Sequence, residues 1–313
     1  MPDNHLTEEA LQFGEGGRLF GILTLPSVPI STSPGLPVFV FLTAGFTHRV
    51  GPHRLHVRLC RELVRLGFTS LRVDLTSMGD SPPRPGYTNQ QSVAADFAEI
   101  LAMLESRLGP SPLVLAGLCS GADNAITLAP NEPRVVGMVL LDPVCFPDSG
   151  LMGFRTRAMV AKYTRPASYI SGLRYRFKTL NQPREKKRED DHFVDPLALR
   201  DPPTLELMQA AFESIRKRGG RVLSVFTGTA PQYNQVGQLG RVLAVDGYQQ
   251  FCTELFWRRS DHTFTLEVHR RQLVEAIKTW AGDYIAPERA PTSDDLSERA
   301  ASLPVLLTDT HQA

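Results

Sequence analysis

Cys119 stands in the run Leu113-Val114-Leu115-Ala116-Gly117-Leu118-Cys119-Ser120-Gly121-Ala122. A short apolar stretch gives way, through Gly-x-Cys-x-Gly, to a segment that starts as a helix near Ser120. That order has a chemical meaning. A nucleophile carried on a tight turn between strand and helix is lifted above the sheet, and glycines two positions to either side let the backbones pack closely there. The turn also sets the thiol at a helix N-terminus, whose dipole favours the thiolate. The backbone N–H of Ser120 would then be one oxyanion donor, while the Ser120 side chain, one step off the tip, points elsewhere. The plainer alternative is a buried structural cysteine beside a glycine-rich turn.

A thiol nucleophile needs a base. Sites of this strand–turn–helix type run nucleophile, acid, histidine along the chain. The histidine is expected between the last strand and the last helix, where Ser260-Asp261-His262-Thr263-Phe264-Thr265 lies. Of eight histidines, His5 and His311 fall near the termini and His192 in a basic stretch. His48, His53 and His56 fall near an early helix, and His269 falls within the last one. His262 is therefore the candidate general base; the competing reading is a surface-loop histidine.

These residues need a scaffold. Ala10–Phe13 and Leu19–Leu25 read as two strands, separated by the Gly14–Gly17 turn and forming an antiparallel edge. Val38–Leu42 is a continuous apolar run, as expected of a buried parallel strand. Further strands are predicted at Thr69–Val73, Leu113–Ala116, Val135–Leu141, Val222–Phe226 and near Cys252–Trp257. Helices are predicted at His56–Leu66, closed by Gly67, at Ser92–Leu108, after Ser120, and from about Leu266 to Tyr284. Alternating strands and helices imply an α/β chain with a mostly parallel sheet flanked by helices. Residues 146–220 separate two strands by far more than an ordinary crossover, so a cap insertion is expected there. The core is then 1–145 and 221–286, and 287–313, rich in Ala, Ser, Asp and Pro, reads as a disordered tail.

Bulk properties restrict the function. The chain has 313 residues, 42% hydrophobic and 21% charged, with a formal net charge of +1. Nothing global points to nucleic acid or to an anionic membrane, and no apolar run reaches the ~18–20 residues of a spanning helix. The N-terminus lacks the basic-then-apolar pattern of a signal peptide. The four cysteines, Cys60, Cys119, Cys145 and Cys252, form no C-x-x-C pair. Neither a zinc cluster nor a disulfide framework is expected, and free thiols suit a cytoplasmic location. No nucleotide or metal motif appears, so no cofactor and no metal is expected.

Further pieces carry a resemblance. They are Phe13-Gly14-Glu15-Gly16-Gly17-Arg18-Leu19-Phe20-Gly21, Ala44-Gly45 through His48-Arg49-Val50-Gly51-Pro52-His53-Arg54, Asp74 with Gly79-Asp80-Ser81, and Leu140-Leu141-Asp142-Pro143. Together with the Cys119 turn and Asp261-His262-Thr263-Phe264 they span residues ~13–280. In these the chain resembles the bacterial α/β-hydrolases of the serine-aminopeptidase-like set, in a branch with cysteine as nucleophile. The resemblance implies an α/β-hydrolase fold, and a second oxyanion donor from the loop after the third strand, for which the Phe46 backbone N–H is the candidate. His48 and Arg49 either contact substrate or brace that loop; Asp80 fixes its own loop.

The family's acid is missing from its usual place. In Thr227-Gly228-Thr229-Ala230-Pro231-Gln232 the expected position holds Ala230, which cannot orient an imidazole. Asp142, at the end of the preceding strand, is the substitute, against a structural Asp-Pro turn. A working Cys–His dyad is a third option, because a free thiol pKa of ~8.5 already gives some thiolate near neutrality. Asp261 adjoins His262 and is read as structural.

A thiol on this turn implies an acyl-cysteine intermediate. An acyl hydrolase of esterase or thioesterase type ranks first. An acyltransferase moving the acyl group to an amine or hydroxyl acceptor is the alternative, and a degenerate hydrolase serving as a binding module the third. The partner expected is a small-molecule acyl substrate. Residues 151–200 hold twelve Lys/Arg against five Asp/Glu, which would suit a coenzyme A or acyl-carrier-protein thioester.

Overall fold

The computed structural model describes residues 6–27, 35–45, 47–148, 201–230 and 232–284. Its strands are β1 (Leu6–Phe13), β2 (Leu19–Pro26), β3 (Val38–Leu42), β4 (Ser70–Asp74), β5 (Leu113–Leu118), β6 (Val135–Leu141), β7 (Arg221–Thr227) and β8 (Cys252–Trp257). Its helices are α1 (Leu55–Arg65), α2 (Asn89–Leu108), α3 (Ser120–Leu128), α4 (Leu205–Lys217), α5 (Gln238–Leu243), α6 (Tyr248–Phe251) and α7 (Glu267–Gly282).

The strands form one sheet in the order β1-β2-β4-β3-β5-β6-β7-β8. The β1–β2 and β2–β4 pairs are antiparallel, and every pair from β4 to β8 is parallel. The unbroken apolar run in β3 follows from burial on both faces. Val38, Val40 and Leu42 enter one core cluster, with residues of α2, α3 and α4. Phe39 and Phe41 enter the other, with residues of α1 and α7. There Phe39 meets Phe68 and Trp280 edge-on, and burying each such ring contributes about 1.5–3 kcal/mol.

Beyond the earlier start of β1 at Leu6 and the short helices α5 and α6, two features depart from the sequence reading. Residues 205–217, inside the span expected as a cap, form α4. Its Met208, Ala211, Phe212 and Ile215 are fully buried at helical spacing in the core, so α4 is the crossover helix between β6 and β7. Residues 149–200, most of that span, and the tail 287–313 lie outside the described residues. The second departure is the start of α2, three residues earlier than its apolar periodicity indicates. Thr88 and Gln91 form a reciprocal capping box there.

Register sets up the chemistry. Leu118 of β5 pairs with Leu141 of β6, Leu141 with Val225 of β7, and Thr227 of β7 with Trp257 of β8. The carboxyl ends of these strands are thus level, and the loops that follow them share one edge of the sheet. Among the described residues no helix is long and apolar enough to cross a membrane.

Candidate active site

Cys119 sits between β5 and α3 with φ 54° and ψ −121°. A side-chain-bearing residue held there stores about 1–3 kcal/mol of strain, so its surroundings must fix it. Its N–H donates to Leu141 O at 2.8 Å, and its own carbonyl accepts from Asp123 N–H at 3.0 Å. The flanking glycines are required by contact. A Cβ on Gly117 would come within 2.3 Å of the Gly121 carbonyl carbon, and one on Gly121 within 2.6 Å of Leu42 O. Cys119 is half-buried, whereas Cys60, Cys145 and Cys252 are buried. Burial pushes the Cys60 thiol up to about 11 and that of Cys145 up to about 12, and raises Cys252 as well. Of the four thiols that of Cys119 is the most accessible.

Asp142 follows β6 directly. Its backbone takes the left-handed conformation, φ 44°, and its N–H donates to Val225 O at 2.8 Å. The side chain, 3% exposed, thereby faces the end of β7. Thr227 N–H donates to Asp142 Oδ1 and Thr227 Oγ1 donates to Asp142 Oδ2, each at 2.6 Å. His262 arrives from the far side. Gly228 lets the loop after β8 close onto β7: a Cβ there would lie 1.9 Å from Arg258 O, and the Gly228 N–H meets the carbonyls of Trp257 and Ser260 at 3.1 Å. That approach carries His262 Nδ1 to 2.7 Å from Asp142 Oδ2.

The imidazole is held between a carboxylate and a thiol. Its hydrogen bond to Asp142, and next its hydrogen bond to Cys119, push the His262 pKa up to about 9 against the opposing effect of burial. Both bonds favour the imidazolium, the state that pairs with a thiolate. By contrast, burial pushes His56, in α1, down to about 4. Asp261 does not reach the ring's network; its carboxylate accepts from Thr263 Oγ1 and Thr265 Oγ1, both at 2.8 Å.

Ser120 opens α3, where a first-turn N–H has no partner within the helix and can serve as an oxyanion donor. The Ser120 hydroxyl accepts from the Gly45 N–H at 2.8 Å, tying the loop after β3 to the Cys119 turn. The sequence reading missed that bond. Phe46, the other expected oxyanion donor, lies outside the described residues.

His48 and Arg49 face two carboxylates, Asp74 and Asp80. The Arg49 guanidinium pairs with the buried Asp74, and its Nη1 lies 2.7 Å from Asp80 Oδ2. His48 Nε2 lies 3.5 Å from Asp80 Oδ2. These bonds brace the loop after β3 against the end of β4. The oxygen and nitrogen atoms of His48, Asp74 and Asp80 converge within 4.8 Å, and Arg49 already supplies the positive charge among them.

Two cavities meet at the Cys119–His262 pair. One, of about 280 Å³, runs toward β4 and α2 and is walled by Thr43, Gly45, Leu75, Met78 and Val93. The other, of about 440 Å³, lies over the ends of β6 and β7, walled by Asp142, Val144, Cys145, Thr229, Ala230 and Tyr233. Ala230, where the sequence lacks the expected acid, is part of that second wall. Glu254 is buried behind it and satisfied by Tyr233 and Tyr248 hydroxyls at 2.5 and 3.0 Å.

A family model described as the alpha/beta hydrolase family matches residues 39–304. The chain belongs to the α/β hydrolase family. Solved structures share the fold at low identity. The Est1E protein of Butyrivibrio proteoclasticus is 16% identical, with a TM-score of 0.51 over 88% of this chain and 99% of that one. An esterase of Pyrococcus furiosus is 11% identical, with a TM-score of 0.53 over 91% and 92%. A protein of unknown function from Agrobacterium tumefaciens is 17% identical, with a TM-score of 0.51 over 91% and 99%. No match was found among curated proteins. In this α/β hydrolase the acidic partner of the histidine comes from the end of β6, and β7 contributes the threonine that holds it.

Proposed function

We propose that this α/β hydrolase is a cysteine-nucleophile acyl hydrolase of esterase or thioesterase type, of the serine-aminopeptidase-like branch whose motifs it carries. The observation that carries the reading is the continuous bonded path Asp142–His262–Cys119 at a strained strand-to-helix turn. An unrelated structural cysteine needs neither the imidazole nor the strain. A binding module derived from a hydrolase would not need the three groups joined.

The chemistry divides into two halves. The Cys119 thiolate attacks the acyl carbon, and the carbonyl oxygen takes up negative charge against the Ser120 N–H. The tetrahedral adduct collapses, the bond to the leaving oxygen or sulfur breaks, and that atom takes the proton from the His262 imidazolium. Acylation removes the thiolate, and with it one of the two groups that raise the His262 pKa. The ring, now neutral, can accept a proton from water as the water attacks the thioester. Cys119 leaves as thiolate and His262 regains its proton.

The test is pre-steady-state release from a p-nitrophenyl ester of a short fatty acid. A burst of nitrophenolate stoichiometric with protein is expected, followed by a slower linear phase, as an acyl-enzyme requires. Release without a burst, unaltered in Cys119→Ala, would remove the covalent mechanism.

Acyl transfer is the second reading, favoured by one observation. Two cavities open onto one Cys119–His262 pair, which leaves room for an acceptor beside a bound acyl group. The acceptor would be an amine or hydroxyl, and a coenzyme A or carrier-protein thioester would fit the basic stretch as donor. Acylated acceptor rather than free acid, in a reaction supplied with both, marks the transferase.

A further inference from the structure

Thr227 is fully buried at the end of β7 and has no role assigned to it by the sequence. Both of its donors are spent on one carboxylate. Its N–H meets Asp142 Oδ1 and its hydroxyl meets Asp142 Oδ2, each at 2.6 Å. Oδ2 is also the oxygen that faces His262 Nδ1, at 2.7 Å. The Thr227 hydroxyl has a single proton, and Asp142 receives it. The 2.9 Å bond between the Thr227 and Thr229 hydroxyls is therefore donated by Thr229. Thr229 is exposed on the wall of the second cavity. A relay of two hydroxyls thus runs from that cavity to the carboxylate, each bond polarising the next.

We infer that Thr227 is a positioning residue for the acid, with Thr229 supporting it, so that this site consists of Cys119, His262, Asp142 and a hydroxyl relay behind them. A carboxylate whose left-handed backbone presses it against a neighbouring strand still has its side-chain torsions to set. Two donors from one residue of β7 fix the carboxylate plane and leave one lone pair of Oδ2 for the imidazole. The β6–β7 pairing of Leu141 with Val225 sets the spacing. A neutral donor does this without adding charge beside His262, on which the ionisable groups Asp142 and Cys119 act.

The inference rests on the reading of Cys119, His262 and Asp142 as the reacting groups, and its test separates the two. Thr227→Val keeps the backbone donor and the shape but removes the hydroxyl. Thr227→Ser restores the hydroxyl. Thr229→Val removes the outer donor at an exposed position where folding is not at stake. The first readout is the NMR titration of the His262 ring, which needs no substrate. Without its hydroxyl donor the Asp142 carboxylate holds the imidazolium proton more strongly. The midpoint should therefore rise by several tenths of a pH unit in Thr227→Val, return in Thr227→Ser, and rise by less in Thr229→Val. The second readout is turnover of an activated ester. For Thr227→Val kcat should fall about tenfold with KM within about twofold, the signature of a lost transition-state interaction, and Thr227→Ser should recover most of it.

An unmoved midpoint in both valine variants would overturn the relay, as would a serine variant as damaged as the valine one. If Thr227→Val does not fold, Thr229→Val alone decides by the same midpoint. A moved midpoint in a chain that shows no Cys119-dependent turnover would leave the relay standing and remove the proposed function instead.

Discussion

Replacing Cys119 with alanine is expected to lower ester turnover by on the order of 10³–10⁶-fold, with the protein folded and its Tm close to that of the parent. The range follows from what remains. The oxyanion donor and the substrate-binding walls persist without a nucleophile, and such residual machinery still gives some acceleration over water. Stability should change little or rise, because the strained turn no longer has to hold a thiol against an imidazole, and Cys119 is only half-buried. Cys119→Ser is the more informative variant. A serine hydroxyl must hand its proton to the imidazole as it attacks, whereas a thiol depends less on its base, and Asp142, the larger cause of the raised His262 pKa, remains in this variant. The serine variant should therefore lose nearly as much activity as alanine near neutrality, although the parent fold most often carries serine at this turn. A serine variant with near-parent turnover at pH 7 would show that turnover does not depend on a thiolate, and the thiolate–imidazolium account would fail.

Replacing Asp142 with asparagine is expected to cost on the order of 10²-fold in kcat. That is less than the roughly 10⁴-fold cost when the acid of a serine triad is neutralised, because a thiol depends less on its base. The second consequence is a shift of the pH profile, and its sign can be worked out. The imidazolium is the proton donor for the leaving group. Its pKa is raised to about 9 by Asp142 first and Cys119 next, so the active form is present below that pH and is lost above it. Without the carboxylate the larger cause disappears and the pKa falls toward the ordinary histidine range of about 6.5. The alkaline limb of kcat/KM should thus begin about pH 9 in the parent protein and at a distinctly lower pH in Asp142→Asn. An unchanged limb and a rate within about threefold would mean that Cys119 and His262 work as a dyad.

How much of this was legible in the chain depends on how local the signal is. The two-sided burial of β3 was written in Val38–Leu42, since a run with no polar alternation has no solvent face. The nucleophile turn was written in Gly117 and Gly121, whose spacing reflects backbone contacts that a Cβ would break. His262 stood out by position. The acid was a different problem. In sequence, Asp142 as the acid, a structural Asp-Pro turn and a Cys–His dyad were open together, because an Asp before a Pro has no local signature. What singles out Asp142 is long-range: β6 lies beside β7 in the sheet, and a positive φ turns its side chain toward Thr227. Thr227 itself was invisible for the same reason, since a threonine at the end of a strand is ordinary until its neighbour across the sheet is known. The apolar stripe of α4 was present in Met208, Ala211, Phe212 and Ile215, but it follows a long irregular stretch that draws the eye to an insertion. The helices α5 and α6 are six and four residues long, too short for periodicity to register.

The most direct test is the intact mass of the protein quenched during turnover of an acyl thioester or activated ester, followed by peptide mapping. A gain of one acyl group is expected on the peptide that carries Cys119, absent in Cys119→Ala and accumulating in Asp142→Asn if deacylation slows. Full turnover with no acyl mass at any time, or an acyl group on another residue, would contradict the account.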